Sequence, residues 1–170
     1  MLSSSHQEVF VMNQNKLSVY LKVILAVIGV CGLVVYFLIL PTCGESLHAS
    51  FPEFAAWHWP WLIFLWITAI PCYAALFFGW RIACNIGQDK SFSLENARLL
   101  QIIAWLVAGV TLYYFIGNVV FLFLNMNHPG IILIALLICA VGVSITIAAV
   151  CLSNLVKKAA DLQEQSDLTV

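Results

Sequence analysis

Four long apolar runs, parted by polar breaks, set the plan of the chain. They cover residues 19–40, 61–80, 99–124 and 131–152. Each is close to the run of about 20 residues that a helix needs to cross roughly 30 Å of hydrocarbon. The first is interrupted only by Lys22, near one end, where a lysine can extend its amine to the headgroups. A cleaved signal peptide is the competing reading of this run. The Leu40-Pro41-Thr42-Cys43 junction offers neither a small-x-small cleavage site nor a lipoprotein site, so the run is read as a retained span. Pro71 in the second run frees the carbonyl of Ile67 and predicts a local kink. The third run exceeds the needed length and predicts tilt.

The polar breaks differ in character. Residues 41–60 form an aromatic loop holding Glu45, His48, Glu53 and His58, with Trp57, Trp59 and Trp61 at its far end. Residues 125–130 read as a tight turn. Residues 81–98 are the long polar island between two blocks of nearly unbroken hydrophobic sequence. After the fourth run, Leu152, Leu155, Val156, Ala159 and Leu162 recur on one helical stripe, while Lys157, Lys158, Asp161 and Glu164 take other faces. The last span is therefore expected to continue as an amphipathic helix beyond the membrane, its stripe covered by the central island or the inner leaflet.

Composition agrees with this plan. Hydrophobic residues make up 63% and charged residues 9% of the chain, whereas soluble domains carry about 25% charged residues. The expected fold is all-α: a polytopic membrane protein forming an antiparallel four-helix transmembrane bundle, with a cytoplasmic helical extension of the last span. Residues 1–170 make a single membrane domain whose main partner is the lipid bilayer. All seven basic residues, Lys16, Lys22, Arg81, Lys90, Arg98, Lys157 and Lys158, fall in or beside the N-terminal tail, the central island or the C-terminal tail. That asymmetry predicts a cell-membrane protein with loop 81–98, tail 153–170 and both termini in the cytoplasm. The net charge of -1 gives no reason to expect direct nucleic-acid binding.

In lipid, rows of small residues allow helices to approach closely. Ala140, Ser144 and Ala148 form such a row, with Gly142 and Thr146 one row over, and Gly29 and Gly32 offer the same in the first span. Internal packing is the expected use, and a homo-oligomer face the alternative.

A search for chemistry narrows the function. Cys31, Cys72 and Cys139 lie within spans, Cys84 and Cys151 near cytoplasmic ends, and only Cys43 in an outer loop. Without a C-x-x-C or an outer cysteine pair, four-span thiol oxidoreductase chemistry is excluded. His6, His48, His58 and His128 all lie outside the spans, which excludes haem held between helices. Glu45 and His48 at i, i+3, with Glu53 and His58, are candidates for a metal or proton sensor, although solvated loop residues account for them more simply. The spans hold no Asp, Glu, Arg or His at depth, where ion-coupled carriers place one. Thr68, Thr111, Asn118, Ser144 and Thr146 are their most polar positions, and Asn118 is expected to act as interhelical glue. No cofactor is expected, and the chain is read as a non-enzyme. A small transporter or channel subunit is the alternative to an accessory role.

The central island parses as helix end, turn and helix start. Gly87 is the expected C′ residue, Gln88-Asp89-Lys90 the turn and Ser93 the N-cap, with Glu95 complementing the helix dipole and able to pair with Arg98. Phe92 is an aromatic on a polar loop, free to enter the membrane or cover the C-terminal stripe. Gly87, Phe92-Ser93 and Glu95-Asn96 before an apolar span resemble the G-x-x-F-S-x-E-N pattern of the YoaS-like bacterial four-span membrane proteins. The ending Leu162-Gln163-Glu164-Gln165-Ser166-Asp167-Leu168-Thr169-Val170 resembles that family's L-Q-E-E-N-D-L-T-hydrophobic terminus, with Gln165-Ser166 in place of Glu-Asn. The resemblance implies a family without an established activity. Its genes often neighbour those of small helix-turn-helix regulators, which suggests a cytoplasmic transcription regulator as partner. On this reading Gly87, Phe92, Ser93, Glu95 and Asn96, with Asp167, Leu168, Thr169 and Val170, form a joint docking face. The alternative is that the tail simply packs against the turn.

Overall fold

A computed structural model describes residues 3–50, 58–126 and 129–167, and within them the side chains of residues 14–46, 58–126 and 130–166. The described residues are helical apart from short turns. Helix α1 covers Ser3–Val34, and a π-helical segment at Val35–Ile39 leads directly into α2 at Leu40–Ser50. Helices α3, α4 and α5 cover His58–Gly87, Leu94–Phe123 and Pro129–Asp167. Among the described residues, four stretches are long and apolar enough to cross a membrane, as the hydrophobic pattern predicts.

Helices pack in chain order. Helix α1 lies on α3, α3 on α4 and α4 on α5. Among the described residues, α1 makes no close backbone approach to α4 or α5. Neighbours run antiparallel, since paired residue numbers rise on one helix as they fall on the next. Ser18 and Gly29 of α1 and Tyr36 of the π segment meet Ala83, Tyr73 and Thr68 of α3. Ala97 and Thr111 of α4 meet Ser153 and Cys139 of α5. Between α3 and α4 the buried ring of Phe64 packs against Tyr113 and Phe121, at centroid separations of 4.9 and 5.1 Å.

The helix continues past Leu40, where the apolar pattern predicts a loop, and the reason lies in Pro41. Proline has no N–H and crowds the carbonyl four residues back. The chain widens into a π turn ahead of it, so that the N–H of Leu40 bonds the carbonyl of Val35. The carbonyl of Tyr36 would next look to position 41, which has no N–H to give. The indole of Trp66 supplies the missing donor, with Nε1 at 3.0 Å from that oxygen. A π turn of this kind is sustained by side chains that satisfy what the ladder leaves open. In α3, by contrast, the helix runs on through Pro71 to Gly87.

The fit of α4 to α5 rests on small residues. Ala135, Cys139, Gly142, Thr146, Ala149 and Ser153, continued by Val156 and Ala160, follow each other in steps of four and three and are buried or half-buried. That rhythm keeps one seam turned toward a partner helix. A Cβ at Gly142 would collide with the side chain of Thr111. The row Ala140, Ser144 and Ala148 is exposed, so internal packing uses the neighbouring row with Gly142 and Thr146.

Candidate interaction surface at the loop end

The turn between α3 and α4 is built by two helix terminators. Helix α3 ends in a Schellman arrangement, in which the N–H of Lys90 bonds the carbonyl of Asn85 and the N–H of Asp89 that of Ile86, at 3.0 and 3.2 Å. The left-handed residue is Asp89, with φ 62°, and no glycine has a positive φ. This corrects the expectation for Gly87, which is the last residue of α3 rather than its C′ residue. Gly87 is small for another reason: a Cβ there would lie 2.7 Å from Ser18 Oγ of α1. Helix α4 ends the same way, on Asn125 with φ 53°. Asp and Asn tolerate this conformation better than other non-glycine residues.

Helix α4 starts as the capping pattern predicts. Ser93 is extended, and its Oγ accepts from the N–H of Asn96 at 3.2 Å. Asn96 then uses its whole amide. Its Nδ2 donates to the carbonyls of Lys90 and Ser91, at 2.9 and 3.1 Å, and its Oδ1 accepts from Asn85 Nδ2 at 2.8 Å. The side chain is 1% exposed. In such a dry setting, losing one partner costs more than the bond itself contributes, about 1–3 kcal/mol per orphaned group. Asn96 is thus the internal knot of the turn and not part of its surface.

Both outer helices tie into the same knot. The buried hydroxyl of Ser18 on α1 donates to the carbonyl of Ala83 at 2.6 Å, and Ser91 Oγ donates to Gln14 Oε1 at 3.0 Å. The buried hydroxyl of Ser153 on α5 donates to the carbonyl of Ala97 at 2.7 Å. Ser18, Asn85 and Ser153 carry no motif; the cue in the sequence is that each is a polar residue near the edge of an apolar run. Glu95 bonds Arg81 Nη2 at 3.0 Å, which corrects the expected Glu95–Arg98 pair. The α3 partner lies across the turn and reaches the carboxylate first. Both side chains are half-exposed, so the pair contributes at most about 1 kcal/mol.

The turn therefore has a fixed interior and a small exterior. Gly87 and Ser93 are half-buried, and Glu95 and Phe92 remain exposed. Phe92 is 58% exposed, so it does not cover the stripe on α5. Nor does that stripe form as one face: Val156 and Ala159 are half-buried, while Leu152, Leu155 and Leu162 are exposed. Helix α5 continues without a break to Asp167. With Ser153 beside Ala97, a rise of 1.5 Å per residue carries Asp167 about 20 Å beyond that level. Leu168, Thr169 and Val170 lie outside the described residues.

The remaining candidates lie at the opposite end or within the spans. Glu45 is exposed on α2 and His48 follows three residues later on the same helix; Glu53 lies outside the described residues. The His58 ring sits against Gly44, where a Cβ would lie 2.7 Å from Nδ1. Among the described residues no three His, Cys, Asp or Glu side chains are grouped to hold a metal ion. Asn118 is buried, and its amide donates to the carbonyl of Tyr114 one turn back at 2.9 Å. A groove of about 340 Å³ opens between α4 and α5, lined by Ala108, Leu112, Phe115, Val143 and others. Its two threonines, Thr111 and Thr146, turn their hydroxyls onto the carbonyls of Val107 and Gly142 in their own helices. The groove wall is consequently apolar.

Comparison with known proteins agrees with a membrane protein. The chain is 31% identical over 159 residues to the uncharacterized membrane protein YoaS of Bacillus subtilis (strain 168), covering 92% of this chain and 99% of the relative. No solved structure matches it. Residues 42–170 match a family described as a protein of unknown function (DUF2975). A membrane protein with four apolar helices, the chain belongs to that family.

Proposed function

We propose that the protein is a regulatory or accessory membrane protein that offers its loop end to a cytoplasmic partner. The observation that carries this reading is the contrast within one turn: a hydrogen-bonded interior fixed by Asn96, and a 58%-exposed Phe92 held out from it. A large apolar ring on a rigid polar loop is the kind of anchor around which interfaces are built. The seven basic residues cluster at this end, which supports a cytoplasmic orientation in the cell membrane by the positive-inside rule. A small helix-turn-helix regulator is the partner class that the family resemblance suggests, and the chain itself takes no direct part in binding nucleic acid. The apolar groove between α4 and α5 gives no support to a transport path, and a catalytic role has none either.

The test uses the full chain in native membranes, with a photo-reactive residue in place of Glu95, three residues after Phe92 in the first turn of α4. A discrete adduct with a cytoplasmic protein is expected, and Phe92→Glu should abolish it while the protein accumulates normally. An adduct that survives Phe92→Glu, or none at all, would reject the reading. Thiol labelling of Lys90→Cys from the outside of intact cells would reject the orientation.

A further inference from the structure

Helix α5 carries a second heptad row, one position back from the row that faces α4. It passes from Ile145 through Ala148, Leu152, Leu155 and Ala159 to Leu162 in steps of three and four, and runs back in the same rhythm to Ile134. Leu152, Leu155 and Leu162 are 49%, 64% and 66% exposed. One position on a helix is a rotation of about 100°, so α4 flanks this row and does not block it. Helix α5 is also the edge of the array: among the described residues only α4 packs on it.

The upper part of the row can face lipid; the lower part cannot. Ser153 sits beside Ala97, at the level of the charged side chains of Glu95 and Arg98. Leu155 therefore lies at the membrane boundary, and Leu162 about 10 Å past it. Because α5 is one unbroken helix, it cannot fold over to lay these leucines on the bilayer. A soluble protein could cover only the lower leucines, and lipid only the upper aliphatics. A partner that follows the whole row has to cross the membrane and project beyond it with the same rhythm, which α5 of a second copy does by identity.

Area and charge fit that occupant. Between Ile134 and Leu162, seven large aliphatic side chains of the row are 48–66% exposed. Their exposed surface is on the order of 700 Å² per copy, similar in extent to the roughly 800 Å² that one partner gives to a standard interface, and along the lipid-facing part it acts through close packing rather than removal from water. Of the charged residues on the extension only Lys158 borders the row; Lys157, Asp161 and Glu164 point elsewhere on the helix. In a parallel pair Lys158 faces Gln163 of the second copy, an amide that can accept from it, so like charges do not oppose each other.

We propose that two copies of the chain associate through a parallel α5–α5 seam along this row. The proposal uses a face separate from the Phe92 loop and stands whether or not that loop docks a partner.

The test is disulfide trapping of the full chain in its native membrane, with Cys31, Cys43, Cys72, Cys84 and Cys151 changed to serine and the buried Cys139 kept. Single cysteines go in at Leu155→Cys and Leu162→Cys, and out of phase at Asn154→Cys and Asp161→Cys. Oxidation should give a covalent dimer several-fold more abundant at the first two positions than at the other two. Equal yields at all four, no dimer at any, or adducts of Leu155→Cys with a different protein would overturn the proposal. As a check that needs no cysteine, Leu155→Lys with Leu162→Lys should halve the mass of the detergent-solubilised particle. An unchanged mass would count against the seam.

Discussion

The α1–α3 and α4–α5 interfaces solve the same problem by opposite means. Where α4 meets α5, the spans fit through small side chains, and the hydroxyls of Thr111 and Thr146 are turned back onto their own helices. Where α1 meets α3, aromatic side chains of α3 reach across to the backbone of α1. Tyr73 donates to the carbonyl of Gly29 at 2.8 Å, and Trp66 to that of Tyr36. Nearby, the hydroxyl of Tyr36 donates to Thr68 Oγ1 at 2.9 Å while Thr68 bonds Leu65. Gly32 belongs to this second scheme, because a Cβ there would lie 2.8 Å from Tyr73 Oη. Along the spans the first interface is held mainly by shape, its strong directed bond, from Ser153 to Ala97, lying at the loop end, while the second is held by directed bonds at depth. In hydrocarbon there is no hydrophobic gain from bringing apolar helices together, so these two means carry most of the association.

The contrast can be broken from either side by SDS-titrated unfolding in mixed micelles. Gly142→Leu should have the largest effect, about 3 kcal/mol of destabilisation, because the seam has no room beside Thr111. Trp66→Phe should come next, at about 1–2 kcal/mol, since it leaves the Tyr36 carbonyl without a donor at membrane depth. Tyr73→Phe should cost about 1 kcal/mol, because the carbonyl of Gly29 keeps its place in a regular helix. Thr146→Val should fall within about 0.5 kcal/mol, as its hydroxyl only back-bonds within α5. A Thr146→Val loss as large as that of Trp66→Phe would erase the distinction.

What the sequence made legible follows the range of each interaction. The four spans were readable because lipid imposes length and apolarity directly on consecutive residues. Ser93 was readable because an N-cap is settled within three residues. Gly87 was misread because its smallness serves Ser18, which is 69 positions away and shares no local pattern with it. The break expected after Leu40 failed for the same reason: Pro41 ends a helix unless something remote supplies a donor, and Trp66 does. In the loop, the capping residues could be read from their order, but the inward turn of Asn96 depends on Asn85 across the gap. On α5 the stripe lies on the expected helix but divides between two rows: Val156 joins the side buried by Ser153, a polar residue, and Leu152, Leu155 and Leu162 stay exposed.

The bond from Trp66 to Tyr36 also bears on how the chain enters the membrane. A helix that satisfies all its own backbone groups can settle in lipid as soon as it leaves the ribosome. The first span cannot, because the donor for its Tyr36 carbonyl is synthesised 30 residues later. Until α3 arrives beside it, that carbonyl must stay near water or be held by an insertion partner. The first two spans are therefore expected to enter the bilayer as a pair, with the hairpin rather than the single helix as the unit of insertion.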